Sequence, residues 1–218
     1  MSSSEARAGA QAAAPPSSPG PLAGLRILDL TRLLPGPLAA RHLVQWGAEV
    51  LKIDDPGSGD PARDMLRSGA DRKAGLDSAF YRDLNQGKKE QRIDLRSDAG
   101  REALLSLVDE ADALLEGFRP GVMTRLGLGW DVLHARNPRL VMASITGYGQ
   151  NGPFAQRAGH DINYIALAGV LGQIGTPRGD LVLPNFQIAD LLGGTLAATS
   201  CWSWSTGPMR SWKASAPA

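Results

Sequence analysis

Short apolar runs alternate with amphipathic segments along most of this chain. The runs that predict strands lie at residues 25–30, 49–53, 91–95, 113–116 and 139–145. The segments that predict helices lie at residues 38–46, 99–110, 132–133, 162–171 and 190–200. Strands that alternate with helices are joined by crossover connections, which produce parallel sheets. The pattern therefore predicts an α/β fold with an open, mostly parallel sheet and flanking helices.

The segments outside this pattern suggest how the chain is divided. Residues 1–20 are mainly Ala, Ser, Pro and Gly, which bury too little apolar surface to fold, so they predict a disordered extension. Residues 21–200 form the predicted α/β domain, in which the Gly-, Asp- and Arg-rich residues 55–80 predict a long surface loop. Residues 201–218 hold three of the five tryptophans without a regular period, and we expect an atypical tail that is out of frame or an alternative end.

The composition of the chain limits the classes of partner and the compartments that we expect for it. A net charge of +1 over 218 residues gives no overall reason to expect nucleic acid or a membrane surface as a partner. No apolar run reaches the length of a membrane span. The single cysteine, Cys201, suits a reducing compartment. We therefore expect a cytoplasmic location, with a mitochondrial or peroxisomal one as the alternative in a eukaryote.

Two polar residues stand at Gly-flanked element boundaries and are candidates for chemistry. His160 lies in the run Ala158–Tyr164, and Asp190 lies in the stretch Gln187–Gly194. An imidazole and a carboxylate that face one carbon atom form a two-base proton shuttle. The alternatives are a histidine in a surface loop and an aspartate that caps a helix, and the positions alone leave both open.

The run Gly147–Gly152 matches the G-x-G-x-x-G pattern of dinucleotide-binding proteins and follows a predicted strand. However, Asn151-Gly152-Pro153 is typical of a turn and not of the start of a helix. No acidic residue follows about twenty positions later to hold a ribose. The sequence therefore argues against a dinucleotide site.

Ordered motifs are spread over residues 21–199. They include Pro35–Pro37, Trp46–Ile53, Leu84–Lys89, Glu116–Val122, Arg125–Gly129, Gly147–Pro153, Gly159–Tyr164 and Ala189-Asp190. In these motifs the chain resembles the family III CoA-transferases and, through the Gly159–Tyr164 run, the α-methylacyl-CoA racemases within that superfamily. The resemblance implies that residues 21–200 are an N-terminal, Rossmann-like domain that binds CoA.

The same resemblance implies an isomerase. His160 and Asp190 would flank the α-carbon of a 2-methylacyl-CoA, one removing the α-proton and the other returning a proton to the opposite face. The reaction interconverts the (2R) and (2S) thioesters. No metal or redox cofactor is implied, because coenzyme A is part of the substrate.

The resemblance also implies contacts to the acyl-CoA substrate. Arg125 would contact the nucleotide end, and Lys88 and Lys89 are either phosphate ligands or a solvated basic turn. Asp55 departs from the racemase pattern, because an acid there repels a phosphate. The remaining candidates line CoA (Ile93, Asp94, Leu95, Arg96) or its pantetheine and thioester end (Gly159, Asp161, Ile162, Asn163, Tyr164).

Two alternatives stay open. In family III CoA-transferases, an aspartate at the position of Asp190 is a nucleophile that forms acyl-enzyme anhydrides, without the histidine. Full-length relatives are also longer homodimers with a second domain, so this chain is either an active racemase or an inactive truncation.

Overall fold

The computed structural model describes residues 20–176 and 178–206. Its strands are β1 (Arg26–Leu30), β2 (Glu49–Asp54), β3 (Lys89–Arg92), β4 (Ala113–Glu116) and β5 (Val141–Ser144). They form one sheet in the order β3-β2-β1-β4-β5, and every neighbouring pair is parallel. The predicted α/β fold with a parallel sheet is confirmed.

The described residues form eight α-helices. They are α1 (Pro35–Gln45), α2 (Gly69–Lys73), α3 (Ala79–Leu84), α4 (Asp98–Val108), α5 (Val122–Arg125), α6 (Trp130–Arg136), α7 (Asp161–Leu167) and α8 (Ile188–Thr206). Short 3₁₀ turns lie at Pro61–Arg63 and Leu171–Gln173. The hydroxyls of Ser68, Ser78 and Ser97 accept backbone N–H groups at the starts of α2, α3 and α4.

Both faces of the sheet are buried. Leu28 and Leu114 point to one face and pack against apolar side chains of α4 and α6. Ile27 and Leu115 point to the other face and pack against α1 and α8. Because successive side chains of a strand alternate between faces, burial on both sides requires continuous apolar runs.

Helix α8 lies directly on α1. A Cβ atom added at Gly194 would lie 2.5 Å from the carbonyl oxygen of Pro35 and 3.2 Å from the Cβ of Leu38. Only glycine permits this approach of the two backbones. Because α1 follows β1, the contact places the start of α8 near the carboxyl end of β1.

Buried charges support the loop between β1 and α1. The fully buried ammonium of Lys52 donates to the carbonyl oxygen of Thr31 at 2.8 Å and to the Asp60 carboxylate at 3.2 Å. Asp60 also accepts the backbone N–H of Leu33 at 3.1 Å. Leu33 has a φ of 67°, which is uncommon for a residue with a side chain. The ion pair therefore helps to hold this loop in one conformation.

Two sequence predictions were wrong in this half of the chain. Residues 55–80 are not one long surface loop, because they contain a 3₁₀ turn, α2 and the start of α3, and they bury Asp60, Ala62 and Ser78. The strand predicted at residues 91–95 begins and ends earlier, at Lys89–Arg92. All four residues of this edge strand are exposed, so they carry no apolar period that marks the strand.

The helix predicted at residues 190–200 is longer at both ends, since α8 extends from Ile188 to Thr206. The first residue of the predicted tail, Cys201, is 2% exposed and belongs to the core against α1. Residues 201–206 are therefore helical, and the prediction of an atypical tail at residues 201–218 stays a prediction. Residues 207–218 of this tail and residues 1–19 of the N-terminal extension predicted at residues 1–20 lie outside the described residues.

Among the described residues, no helix is both long and apolar enough to cross a membrane. The same part of the chain contains no group of three His, Cys, Asp or Glu side chains placed to hold a metal ion.

Candidate active site

The starts of α7 and α8 lie side by side. His160 immediately precedes α7, Asp161 is the first residue of α7, and Asp190 is the third residue of α8. The backbone N–H of Asp190 donates to Oδ1 of Asp161 at 3.0 Å. The side-chain amide of Gln187 donates to Oδ2 of Asp190 at 3.3 Å. The structure thus places His160 and Asp190 at the adjacent starts of two helices.

The local geometry excludes the capping role for Asp190 and gives His160 a place at the start of its helix. Asp190 lies inside the first turn of α8, so it is not the capping residue of that helix. His160 is exposed at the start of α7, and its backbone N–H donates to the side-chain oxygen of Asn163 at 2.9 Å. This bond fixes the backbone of His160, which is the capping residue of α7.

The environment of Asp190 shifts the pKa of its carboxyl group upward. The carboxyl group is half-buried, and burial raises its pKa above the ordinary aspartate value. The negative charge of Asp161 raises this pKa further, and the imidazole of His160 lowers it by less. A carboxyl group with a raised pKa beside an imidazole is suited to donate a proton.

The aromatic side chain of Tyr164 lies near Asp190. Burial, Tyr148 and then the charge of Asp190 raise the pKa of Tyr164, so its hydroxyl stays protonated and can donate a hydrogen bond. Its ring packs edge-on against Tyr148, with 5.1 Å between the ring centroids. A Cβ atom at Gly147 would lie 2.2 Å from the Tyr164 hydroxyl oxygen, and one at Gly159 would lie 2.7 Å from the ring. These two glycines make room for an aromatic side chain.

The structure agrees with the sequence argument against a dinucleotide site. Residues 147–152 form bends, and no helix begins there. In Rossmann folds the pyrophosphate binds at the first turn after β1. Here Pro35 and Pro37 remove backbone N–H groups from that turn, and a Cβ atom added at Gly36 would lie 2.2 Å from the Cβ of Thr31. The turn therefore lacks the donors and the room that a pyrophosphate needs.

The candidate segment Ile93–Arg96 follows β3, at the far side of the same sheet edge. Ile93 is 6% exposed and packs in the core, so its side chain does not face a ligand. Arg96 contacts Asp94 at 2.9 Å and Asp55 at 3.0 Å. The Asp55 charge, expected to repel phosphate, is therefore already balanced by Arg96.

Arg125 ends the short helix α5, which follows β4. Its side chain is exposed, and Nη1 lies 3.3 Å from the position that a Cβ atom at Gly121 would take. Within the described part of the chain, no carboxylate lies within ion-pair distance of Arg125. Its charge is therefore available to an anionic ligand.

The two lysines after α3 differ from both sequence interpretations. Lys88 is fully buried and donates to Asp29 at 2.9 Å and to the carbonyl oxygen of Pro37 at 3.0 Å. It is therefore neither a phosphate ligand nor part of a solvated turn. Lys89 is exposed and lies 3.6 Å from Glu49.

A cavity of about 480 Å³ opens at the opposite, amino-terminal edge of the sheet, between β1–β3 and α4. Charged residues at its rim pair with one another, Arg26 with Glu110 and Lys89 with Glu49. Ligands of open α/β sheets bind at the carboxyl ends of the strands, so we do not assign a substrate to this cavity.

Comparison with known proteins decides the family. The model of the family described as CoA-transferase family III matches residues 22–203. The chain belongs to CoA-transferase family III. The probable fatty acyl-CoA transferase Rv3272 of Mycobacterium tuberculosis is 42% identical over 185 residues, which cover 84% of this chain and 46% of that protein.

Other similar members of the family carry different activities in their names. Human alpha-methylacyl-CoA racemase is 39% identical over 175 residues, which cover 80% of this chain and 41% of the racemase. The orthorhombic crystal structure of Rv3272 superposes with a TM-score of 0.76 at 39% identity, covering 85% of this chain and 51% of the other. The chain thus spans about half or less of the length of these relatives.

Two further arginines, which the sequence did not single out, are candidates for binding a ligand. The order of the strands reverses between β1 and β4, and ligands of such sheets bind at this switch point. Arg32 follows β1 and Arg119 follows β4; both are exposed and have no carboxylate partner among the described residues. The signal in the sequence is a basic residue two or three positions after each of two buried strands.

Proposed function

We propose that this family III chain acts on 2-methylacyl-CoA thioesters by 1,1-proton transfer and interconverts their (2R) and (2S) forms. The observation that carries this proposal is the half-buried Asp190, whose pKa is raised, beside the exposed imidazole of His160. The upward shift of the Asp190 pKa is in the direction that a proton donor needs. A transferase nucleophile attacks as a carboxylate and needs no imidazole beside it, so the presence of His160 favours proton transfer.

The proposed reaction needs two proton transfers and no net change in charge. His160 accepts the α-proton of one epimer of the thioester as the C–H bond breaks, and the electron pair moves onto the thioester oxygen as an enolate. Asp190 then donates its proton to the opposite face as the new C–H bond forms. The reverse direction exchanges the two roles.

The enolate oxygen needs a hydrogen-bond donor in this scheme. The backbone N–H of Asp190 is already taken by Asp161, so it does not serve this purpose. Tyr164 offers a hydroxyl that stays protonated next to Asp190, and we propose it as a donor at the thioester end. Gly159, Ile162 and Asn163 would line the same end.

The proposed CoA contacts extend along the carboxyl edge of the sheet. β3 and β5 are four strand spacings apart, about 19 Å. Arg125 would bind phosphate, while Asp94, Leu95 and Arg96 would line the part of CoA that is furthest from α7 and α8. An elongated thioester matches candidates spread over such a distance, and no metal or redox cofactor takes part in the proposed steps.

The test is the interconversion of the epimers of a 2-methylacyl-CoA in deuterated water, read by chiral separation and by mass spectrometry of the α-deuterium. We expect His160→Ala and Asp190→Asn each to lower the rate of interconversion by about 100-fold or more. His42→Ala is the matched control, because it removes an imidazole from the end of α1 that carries no candidate chemistry. Interconversion that survives in His160→Ala would refute the two-base assignment, whereas exchange of one epimer alone would not, because Asp190 remains as a base.

The names of several similar relatives favour a second function. They include human succinyl-CoA:glutarate CoA-transferase and the succinyl-CoA–D-citramalate CoA-transferase of Chloroflexus aurantiacus. In this alternative the Asp190 carboxylate attacks the thioester carbonyl, the C–S bond breaks, CoA leaves as the thiolate, and an acyl anhydride remains on Asp190. A hydroxylamine-sensitive acyl group on Asp190 that still forms in His160→Ala would establish this function instead.

A further inference from the structure

We propose that Asp161 is a positioning residue for Asp190, because its carboxylate ties the first turn of α8 to α7 and sets the charge that Asp190 faces. This inference rests on the proposed function only for its kinetic consequence. The hydrogen bond and the charge are properties of the fold.

The carboxylate of Asp161 connects α7 to α8 by a hydrogen bond. Asp161 is 8% exposed, and its Oδ1 accepts the backbone N–H of Asp190 at 3.0 Å. The bond connects the first turns of two helices that are 29 residues apart in the chain. An N–H group in the first turn of a helix has no acceptor within its own helix. Asp161 supplies that acceptor and so fixes where the Asp190 backbone begins its turn.

Asp161 also affects Asp190 through its negative charge. The groups that face Asp190 from α7 are Asp161, His160 and Tyr164. Helix α1 and strand β5 also pack against α8, and no charged or titratable group on them shifts the pKa of Asp190. Asp161 is therefore the only described side chain whose charge raises the pKa of Asp190, and His160 is the only one that lowers it.

The side chain of an asparagine has nearly the same shape and also offers an oxygen to the Asp190 N–H group. It carries no charge. Asp161→Asn therefore keeps the tie between the helices and removes the repulsion, whereas Asp161→Ala removes both. This pair of variants separates the two parts of the proposed role.

The direct measurement is the NMR titration of the Asp190 carboxyl carbon in the full chain, labelled with ¹³C-aspartate and assigned through Asp190→Asn. We expect Asp161→Asn to move this titration to lower pH and to leave the hydrogen exchange of the Asp190 amide unchanged. In Asp161→Ala the same amide should exchange at least about 10-fold faster, because its acceptor is gone. Asp131→Asn, in the first turn of α6, is the control and should change neither signal.

The kinetic measurement is the pH profile of α-proton exchange in the same variants. The limb that reports Asp190 should move to lower pH in Asp161→Asn, and Asp161→Ala should lower the rate at every pH by about 10- to 100-fold. An unchanged Asp190 titration in Asp161→Asn together with an unchanged amide in Asp161→Ala would overturn the inference. If both NMR changes occur while the unmodified chain shows no exchange, the positioning role stands and the proposed function fails.

Discussion

Glycines 193 and 194 of α8 provide a matched test of the helix contact that places Asp190. At Gly194, an added Cβ atom would lie 2.5 Å from the Pro35 carbonyl oxygen, whereas at Gly193 it would meet no described atom within 4 Å. Replacing a helical glycine with alanine stabilises a helix by about 0.5–1 kcal/mol, and this gain applies to both sites. Overpacking a close contact costs about 1–3 kcal/mol, and only Gly194→Ala incurs it.

We therefore expect Gly193→Ala to raise the free energy of unfolding by up to about 1 kcal/mol. Gly194→Ala should lie about 1–3 kcal/mol below Gly193→Ala, because the helical gain cancels in this comparison. Urea unfolding followed by far-ultraviolet circular dichroism measures both values. Equal stability of the two variants would refute the close packing of α8 on α1, and with it the position of Asp190 at the carboxyl edge of the sheet.

Three further predictions concern buried groups. The Cys201 thiol is 2% exposed and burial raises its pKa to about 12, so a thiol reagent should label it at least about 100-fold faster in urea than in the folded protein; equal rates would contradict its burial. Lys52→Met leaves Asp54 and Asp60 without their buried ammonium and should cost about 3–5 kcal/mol in urea unfolding, and a loss below about 1 kcal/mol would contradict this. Burial raises the pKa of Glu116, so the folded state binds this proton more tightly than the unfolded state does. The resulting contribution to stability is lost as the pH rises above 4.5. The stability of Glu116→Gln should not show this loss, and parallel pH profiles of the two proteins would contradict the prediction.

Much of the sheet could be predicted from the sequence because its strands are buried on both faces. The strand at residues 113–116 matches β4 exactly, since a parallel strand between two helical layers needs a continuous apolar run. The edge strand β3 has four exposed residues and no such run, so its position was predicted two to three residues too late. The starts of α2 and α3 do carry a local signal, because the capping serines Ser68 and Ser78 are visible in the sequence.

The candidate site also contains some features that the sequence predicted and others that only the folded structure shows. His160 and Asp190 were found as polar residues at element boundaries, and the fold brings those boundaries together. The bond from Asp190 to Asp161 and the pairing of Lys88 with Asp29 join residues that are 29 and 59 positions apart. No local pattern encodes such pairs, because they depend on how helices and loops pack after the chain has folded. The sequence therefore offered only a phosphate ligand or a solvated basic turn for Lys88, whose side chain is fully buried.

The most direct test of the proposed function uses the unmodified chain with one pure epimer of a 2-methylacyl-CoA in deuterated water, without any acceptor acid. The account predicts that both epimers form and that the α-carbon gains one deuterium, because a proton leaves one face and solvent-derived deuterium returns to the other. An α-carbon that keeps its proton and configuration, with CoA moving to a carboxylic acid once one is added, would contradict the account and establish CoA transfer through Asp190.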